Sequence, residues 1–282
     1  MKNDLIKKDY IPLDKSWMIR IGVLDLINNY SDCINFLQQH YEKLSDDLKS
    51  LYHASIQWKE NTPIDVGESG TLYRFLRFAS WKLGLDKRFI LQGTLKDRKI
   101  CNNPEITNWS LEQLLELDNG TSQWASASVL LGNSQRIINP PYKLQTTYEA
   151  IEHWTKARKQ GKLWEPRYDE TILAQALAYL NYIKTGKIEF TPEQAEDYCF
   201  ARAFGLINKE AEKRWPSLRG HESDRINEME LALHQKEITS RDHRVIQAVA
   251  MLKRNSIKIE YPECVNKSWP QFWRFLKDFS LS

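Results

Sequence analysis

Apolar residues recur at helical spacing along most of this chain. In the first half the periodicity predicts helices over residues 16–28, 31–49, 70–83, 111–117, 122–131 and 146–159. In the second half periodicity and capping residues predict helices over residues 170–183, 192–212, 222–234, 242–253 and 268–278. Short runs rich in β-branched or aromatic residues predict strands over residues 88–91, 187–190 and 256–260. The pattern therefore predicts an α/β or α+β fold dominated by helices.

A polar, weakly periodic stretch at residues 156–166 divides the two halves of the pattern. The chain has 282 residues, and single hydrophobic cores stop growing at about 250–300 residues. We therefore expect two lobes, with a crossing between them in this stretch.

The composition is that of a soluble globular protein, with 41% hydrophobic and 27% charged residues. The sequence contains no uninterrupted apolar run of the ~18 residues that a membrane span needs. The first ten residues include three lysines but lack the apolar stretch and cleavage site of a secretory signal. These features predict a cytoplasmic protein with no membrane partner.

The cysteine spacing and the net charge bear on two further kinds of site, for metal ions and for nucleic acid. Cys33, Cys101, Cys199 and Cys264 lie far apart and have neither the spacing of a CxxC pair nor that of a zinc site. They are predicted to be reduced, and no metal site is expected. The net charge of +3 gives little reason to expect nucleic acid as a partner, although local basic clusters can bind small anions.

Several predicted helices begin with residues suited to anion binding. They open with Lys15-Ser16, Ser69-Gly70-Thr71, Thr121-Ser122-Gln123 and Asp242-His243-Arg244. A helix N-terminus exposes unpaired N–H groups and a partial positive charge, which stabilise phosphate or carboxylate. Ser, Thr and Asp are also ordinary N-caps, and this explains any one site alone. Lys and Arg oppose the helix dipole, so Lys15 and Arg244 indicate a bound anion.

At these helix starts the sequence contains motifs that follow one another in a recognisable order. They are LDKSWMIR from Leu13, GESGTLYR from Gly67, DRKI from Asp97, TSQ from Thr121, NPPY from Asn139, DETI from Asp169, ESDR from Glu222, DHR from Asp242 and CVNKSWP from Cys264. The residue types in these motifs, and the order of the motifs along the chain, resemble those of the enolpyruvyl transferase superfamily. Within that superfamily they resemble the 5-enolpyruvylshikimate-3-phosphate synthase family. The resemblance extends over nearly the whole chain.

The resemblance implies a two-lobed α/β fold built from βαβαββ-type units. In this chain the fold would be reduced in strands and helix-rich, because residues 142–169 are too few to include a strand-rich unit that the family has there. The lobes would be residues 17–158, on the acceptor side, and residues 1–16 with 159–282. They would close on the substrates about a hinge at Lys15 and residues 156–166.

The resemblance also implies an activity, a step of the shikimate pathway to aromatic amino acids. The enolpyruvyl group of phosphoenolpyruvate would move to a hydroxyl of shikimate 3-phosphate with release of phosphate, as in a 3-phosphoshikimate 1-carboxyvinyltransferase, without metal or organic cofactor. Phosphoenolpyruvate would be bound by Lys15, Gly70, Arg98, Gln123, Arg225, His243, Arg244 and Lys267. The acceptor would be bound by Ser16, Arg20, Thr121, Ser122, Asn139, Tyr142, Asp169 and His221. Asp169 would orient or deprotonate the acceptor hydroxyl, and Glu222 with Lys15 would transfer protons at carbon 3.

Three residues depart from the family pattern and leave alternatives open. Asn139 stands in place of serine, His221 in place of lysine, and Glu68 in place of asparagine beside the glycine-threonine pair. A histidine titrates near neutral pH and holds phosphate less firmly at high pH than lysine does. A carboxyvinyl transferase with a different acceptor and a non-catalytic anion-binding relative are therefore the alternative hypotheses.

Overall fold

The computed structural model describes residues 2–60, 62–132, 141–189, 197–208, 210, 224–253 and 256–280. These residues are mostly helical, and their strands are very short. The chain forms two compact units, one of residues 14–167 and the other of residues 1–13 with 168–282.

The unit of residues 14–167 is built mainly from seven helices among its described residues. They are α2 (Lys15–Ile27), α3 (Asp32–Gln39), α4 (Asp46–Glu60), α5 (Gly70–Lys82), α6 (Leu111–Gly120), α7 (Gln123–Leu130) and α8 (Gln145–Lys159). Strands β1 (Ile64–Asp65) and β2 (Phe89–Ile90) flank α5, and 3-10 helices lie at Tyr41–Lys43, Gly93–Asp97, Pro104–Asn108 and Tyr142–Leu144.

The described part of the other unit begins with α1 (Lys2–Tyr10) and continues after residue 167. Its further helices are α9 (Glu170–Thr185), α10 (Tyr198–Ala203), α11 (Arg225–His234), α12 (His243–Lys253) and α13 (Phe272–Ser280). Strands β3 (Glu237–Ile238) and β4 (Lys258–Ile259) flank α12, and a 3-10 helix covers Pro262–Lys267.

Helix α2 forms the centre of the core in the unit of residues 14–167. It is buried without interruption from Trp17 to Leu26 and packs against α3, α4, α5, α7 and α8. Apart from Arg20 and Asp25 the buried residues are apolar or glycine, and a helix that is largely apolar on all faces is stable only inside a core. This burial places the residues near its start among several other helices.

In the other unit α12 occupies the corresponding central place. It packs against α10, α11 and the 3-10 helix Pro262–Lys267. The N-terminal segment belongs to the same core, because Ile6 and Ile11 are buried there and the Trp269 indole donates to the Tyr10 carbonyl at 2.6 Å. These contacts explain why the first residues join a unit that is otherwise C-terminal.

Each unit contains a parallel strand–helix–strand motif. Ile64 pairs with Phe89 across β1 and β2, and Glu237 pairs with Lys258 across β3 and β4. Parallel strands require a crossover, which α5 and α12 supply with the same spacing after the first strand. In both units a 3-10 helix follows the second strand, again with the same spacing, so that Arg98 and Lys267 occupy equivalent positions. Gly70 and His243, which begin the crossover helices, are equivalent in the same way.

Most predicted helices are confirmed close to their predicted bounds. The helix predicted over 222–234 is described from Arg225, and the one predicted over 268–278 begins at Phe272. The prediction over 31–49 was wrong. Leu44 has an extended backbone and is buried, and a new helix starts at Asp46, whose acidic first turn suits a helix N-terminus. Of the segment 192–212 the structure describes helix α10 and a few residues after it.

Two of the three predicted strands are confirmed. β2 lies within 88–91 and β4 within 256–260, whereas Lys187 to Glu189 form no strand and Phe190 lies outside the described residues. β1 and β3, which pair with these two strands, were not predicted.

The crossing between the units differs from the predicted one at residues 156–166. It lies after Leu13 and again after Arg167. Trp164 is buried in the unit of residues 14–167, and its indole donates to Asp25 at 3.2 Å. This contact keeps the predicted linker inside that unit.

Candidate functional site

Two guanidinium groups lie at the start of α5. A Cβ at Gly70, the first residue of this helix, would lie 3.0 Å from both Arg74 Nη1 and Arg98 Nη1. Arg98 follows the 3-10 helix Gly93–Asp97, and its Nη2 donates to Thr94 Oγ1 at 3.3 Å. The absence of a side chain at Gly70 therefore lets both guanidinium groups lie close to the first turn of α5.

Gln123, the first residue of α7, reaches the same place from another helix. Its Nε2 donates to Thr71 Oγ1 at 2.8 Å, and its Oε1 accepts from Arg74 Nη1 at 2.7 Å. Gly70, Arg98 and Gln123 are far apart in sequence and were all predicted to bind phosphoenolpyruvate. The fold brings them together at the start of α5, and we call this group the α5 site.

Arg74 and Asp118 complete the α5 site and were absent from the predicted set. Arg74 Nε donates to Asp118 Oδ2 at 2.7 Å, and the two side chains are only 8% and 7% exposed. Asp118 also accepts from Trp124 Nε1 and from the Cys101 N–H, each at 2.9 Å. Arg74 lies one turn after Gly70 in the GESGTLYR motif, a spacing that could have indicated it. The sequence has no comparable signal for Asp118.

Glu68 introduces a carboxylate beside this site, as its position in the sequence suggested. The side chain lies over Gly93, where a Cβ would overlap it, and its Oε2 accepts from Thr94 Oγ1 at 3.3 Å. Glu68 therefore contacts the loop that leads to Arg98, and its negative charge offsets part of the positive field there.

Arg20 is a buried cation in α2 and was predicted to bind the acceptor. Its Nε donates to Thr147 Oγ1 at 2.8 Å, Nη1 to the Ser16 carbonyl at 2.8 Å, and Nη2 to Ser126 Oγ at 3.4 Å. These acceptors are neutral. Burial lowers the pKa of Arg20 to about 10, and the charge of Asp14 opposes this shift. A buried guanidinium with neutral partners favours the binding of an anion.

The remaining predicted residues of this unit lie at element boundaries. Ser16 is exposed in the first turn of α2, Thr121 and Ser122 separate α6 from α7, and Tyr142 begins a 3-10 helix. Lys15 donates to Asp47 Oδ2 at 2.9 Å, so its charge already has a partner. Asn139 lies outside the described residues.

In the other unit three predicted residues meet near the start of α12. Arg225 Nε lies 2.8 Å from Asp242 Oδ2, and the Arg244 N–H donates to Asp242 Oδ1 at 2.9 Å. His243 is the first residue of the helix and is buried. The Arg244 Nε lies 3.7 Å from Asp197 Oδ2. We call this group the α12 site.

Carboxylates compensate the cations of the α12 site. Burial by itself would raise the pKa of Asp242, but Arg225, His243 and Arg244 together hold it well below its usual value. Burial likewise would lower the pKa of Arg225, and the charge of Asp242 raises it overall. An anionic ligand at this site would have to compete with Asp242 and Asp197.

Lys267 and Asp169 are the other predicted residues of this unit that the structure describes. Lys267 ends the 3-10 helix that packs against α12. Asp169 is the N-cap of α9 and accepts from the Ile172 N–H at 2.9 Å. His221 and Glu222 lie outside the described residues.

The described ranges offer neither a metal-binding cluster nor a membrane-spanning helix. They contain no group of three or more His, Cys, Asp or Glu residues arranged to hold a metal ion. Nor does any helix in them combine the length and apolar character required to cross a membrane. Comparisons with family models, curated proteins and solved structures return no match to this chain.

Proposed function

We propose that this chain is an enolpyruvyl transferase that transfers the carboxyvinyl group of phosphoenolpyruvate to a hydroxyl of shikimate 3-phosphate. The observation that carries the proposal is the α5 site, where Gly70, Arg98 and Gln123 meet at one helix start. These residues come from three separate motifs of the family resemblance, and an unrelated fold has no reason to bring them together. The proposal includes the two-lobed fold of that family and a cytoplasmic location.

The chemistry of phosphoenolpyruvate suits the α5 site. The molecule carries a phosphate and a carboxylate, and guanidinium groups form paired hydrogen bonds to both. The helix start adds N–H groups that stabilise negative charge. Arg225, His243, Arg244 and Lys267 provide a second set of donors at the equivalent position of the other unit. The proposal assigns these donors, like those of the α5 site, to the anionic groups of the substrates.

On the acceptor side the proposal relies on Arg20. This cation is buried among the hydroxyls of Thr147 and Ser126, and the carbonyl of Ser16 also accepts from it. The desolvation of an arginine is costly unless an anion compensates it. A carboxylate or phosphate of the acceptor would supply that compensation.

The reaction needs three proton transfers, one at the acceptor hydroxyl and two at carbon 3. The acceptor hydroxyl adds to carbon 2 of phosphoenolpyruvate and loses its proton, while carbon 3 gains one. Phosphate then leaves carbon 2, and carbon 3 returns a proton as the double bond forms again. We assign the hydroxyl proton to Asp169 and the carbon 3 protons to Glu222 with Lys15.

A phosphate-release assay tests this proposal. Purified protein is incubated with phosphoenolpyruvate and shikimate 3-phosphate, and the assay is repeated without the acceptor. We expect release only with both substrates, and we expect Arg98→Ala to abolish it. Lys96→Ala is the matched control, because Lys96 is exposed on the adjacent 3-10 helix. Release that is absent, or equal with and without acceptor, would contradict the proposal.

A non-catalytic anion-binding protein is the second candidate. The observation that favours it is the pairing of Arg225 with Asp242 and of Arg244 with Asp197, which leaves the α12 site partly neutralised. Calorimetry with phosphoenolpyruvate, combined with the phosphate-release assay, distinguishes the candidates, because this one predicts binding but no release of phosphate with any acceptor.

A further inference from the structure

The α5 site contains a chain of side chains that ends at the Gln123 amide. We infer that Asp118 and Arg74 are positioning residues, which hold the Gln123 amide so that its NH₂ group faces an anion at the start of α5. The inference rests on the proposed anion-binding function of this site. It adds two residues that the family resemblance did not assign.

The orientation of the Gln123 amide follows from its partners. The Arg74 guanidinium can only donate, so the Gln123 oxygen must face it, at 2.7 Å. The NH₂ group then points to the opposite side, where one of its hydrogens is donated to Thr71 Oγ1 at 2.8 Å. Among the residues that the structure describes, the second hydrogen has no acceptor, so it can be donated to a ligand oxygen beside the first turn of α5. If Arg74 were displaced, the amide could rotate and present its oxygen, which would repel an anion.

Arg74 is held in turn by Asp118. The Asp118 carboxylate accepts from Arg74 Nε at 2.7 Å, while Trp124 and the Cys101 N–H hold it from two other directions. Both charged side chains are almost completely buried, so neither has water as an alternative partner. Arg74 Nη1 also donates to the Gly70 carbonyl at 3.2 Å. These bonds leave the guanidinium a single orientation.

The backbone at Asp118 supports the same interpretation. Its φ of 47° lies in the left-handed region, which few residues other than glycine adopt. Such a conformation persists where the surrounding contacts compensate its cost. Here the three donors to the carboxylate provide those contacts.

A double-mutant cycle on phosphate binding tests the inference. Affinity for inorganic phosphate is measured by calorimetry for the full chain, Asp118→Asn, Gln123→Ala and the double variant. If Asp118 acts through Gln123, Asp118→Asn weakens binding about tenfold in the wild-type background and less than twofold in the Gln123→Ala background. A purely structural role would lower the melting temperature and affect phosphate affinity equally in both backgrounds, which would overturn the inference.

Arg74→Lys gives a second measurement if Asp118→Asn does not fold. Lysine keeps the charge but cannot bond to Asp118 and Gln123 together through a planar fork. We expect the same tenfold loss of phosphate affinity in the wild-type background, and again a loss of less than twofold in the Gln123→Ala background. Arg77→Lys is the matched control on α5, because Arg77 donates to the Lys87 carbonyl and to Asn102 instead.

The outcomes separate this inference from the proposed function. Coupling in phosphate binding without any release from phosphoenolpyruvate would retain the inference and reject the transferase. Phosphate release from phosphoenolpyruvate without coupling between Asp118 and Gln123 would retain the transferase and reject the inference. Failure of the wild-type chain to bind phosphate at millimolar concentration would overturn the inference.

Discussion

The Asp242 carboxylate lies 2.8 Å from Arg225 Nε, and the side chains of the pair are only 5% and 13% exposed. The pair therefore lies largely outside water, where the removal of one partner leaves the other charge uncompensated. It connects the start of α11 to the start of α12 and so holds the α12 site in its present form.

Asp242→Asn is expected to lower the free energy of unfolding by about 3 kcal/mol at pH 7, because Arg225 then remains buried without a counter-charge. The measurement is urea unfolding followed by circular dichroism. Glu237→Gln is the control, because the pair of Glu237 and Lys258 is exposed and should contribute about 1 kcal/mol or less. Equal losses in the two variants would contradict the buried role of Asp242.

The pair of Asp242 and Arg225 also predicts that the free energy of unfolding depends on pH. The pKa of Asp242 is lower in the folded than in the unfolded protein, so the folded state binds the proton less readily. The stabilisation is complete above the unfolded value of about 4 and is lost as pH falls further. We expect the difference in unfolding free energy between wild type and Asp242→Asn to be constant from pH 6 to 7 and to shrink below pH 4. A difference that grows on acidification would disprove this assignment.

Arg20→Met is expected to weaken binding of the acceptor without lowering the free energy of unfolding. Burial lowers the pKa of Arg20 to about 10 in the folded protein, so folding disfavours the charged form at pH 7. This penalty begins to shrink only as pH rises above 10, and it is gone once pH exceeds the higher pKa of the unfolded protein. The variant should unfold with a free energy at least equal to that of wild type. Thr147 and Ser126 remain paired with each other at 3.0 Å.

The affinity of Arg20→Met for shikimate 3-phosphate should fall about 10- to 100-fold, because a charge-assisted hydrogen bond is lost. Calorimetry measures this, with Arg88→Met as an exposed control. Unchanged affinity would remove Arg20 from the acceptor site.

Asp169→Asn is expected to reduce turnover about 100-fold, because asparagine cannot take up a proton. Its melting temperature should stay near that of wild type, since asparagine caps a helix about as well as aspartate. Asp224→Asn is the matched control, as Asp224 caps α11 through the same kind of bond. Glu222→Gln should lose turnover to a similar extent. Normal turnover in Asp169→Asn would leave Asp169 with the role of a cap alone.

Asp197→Asn is expected to increase the affinity for inorganic phosphate about two- to fivefold, because it removes the charge beside the partly exposed Arg244. The N-cap of α10 should be retained, since the asparagine oxygen can accept from the Cys199 N–H as the Asp197 carboxylate does. Calorimetry and thermal unfolding measure the two effects. A lower affinity would show that Asp197 helps to bind the anion instead of competing with it.

The sequence by itself determined most helices and the residues at their starts. Periodicity is a local property, and α5, α7, α9 and α12 begin where capping and apolar spacing predict. Because the polar residues of the motifs lie at these helix starts, Gly70 and Gln123 could be singled out without a structure.

Only the tertiary structure decided which side chains meet. Asp118 and Arg74 are separated by 44 residues and form a buried pair, and no local pattern connects them. The same holds for Trp164 and Asp25, whose contact moves the boundary between the units past Arg167. Arg20 is hydrogen-bonded to neutral acceptors, whereas Arg225 is paired with a carboxylate. Which kind of partner a buried cation has depends on residues that are distant in sequence. These are fixed by packing across the fold, while the hydrophobic pattern fixes only which face of each helix turns inward.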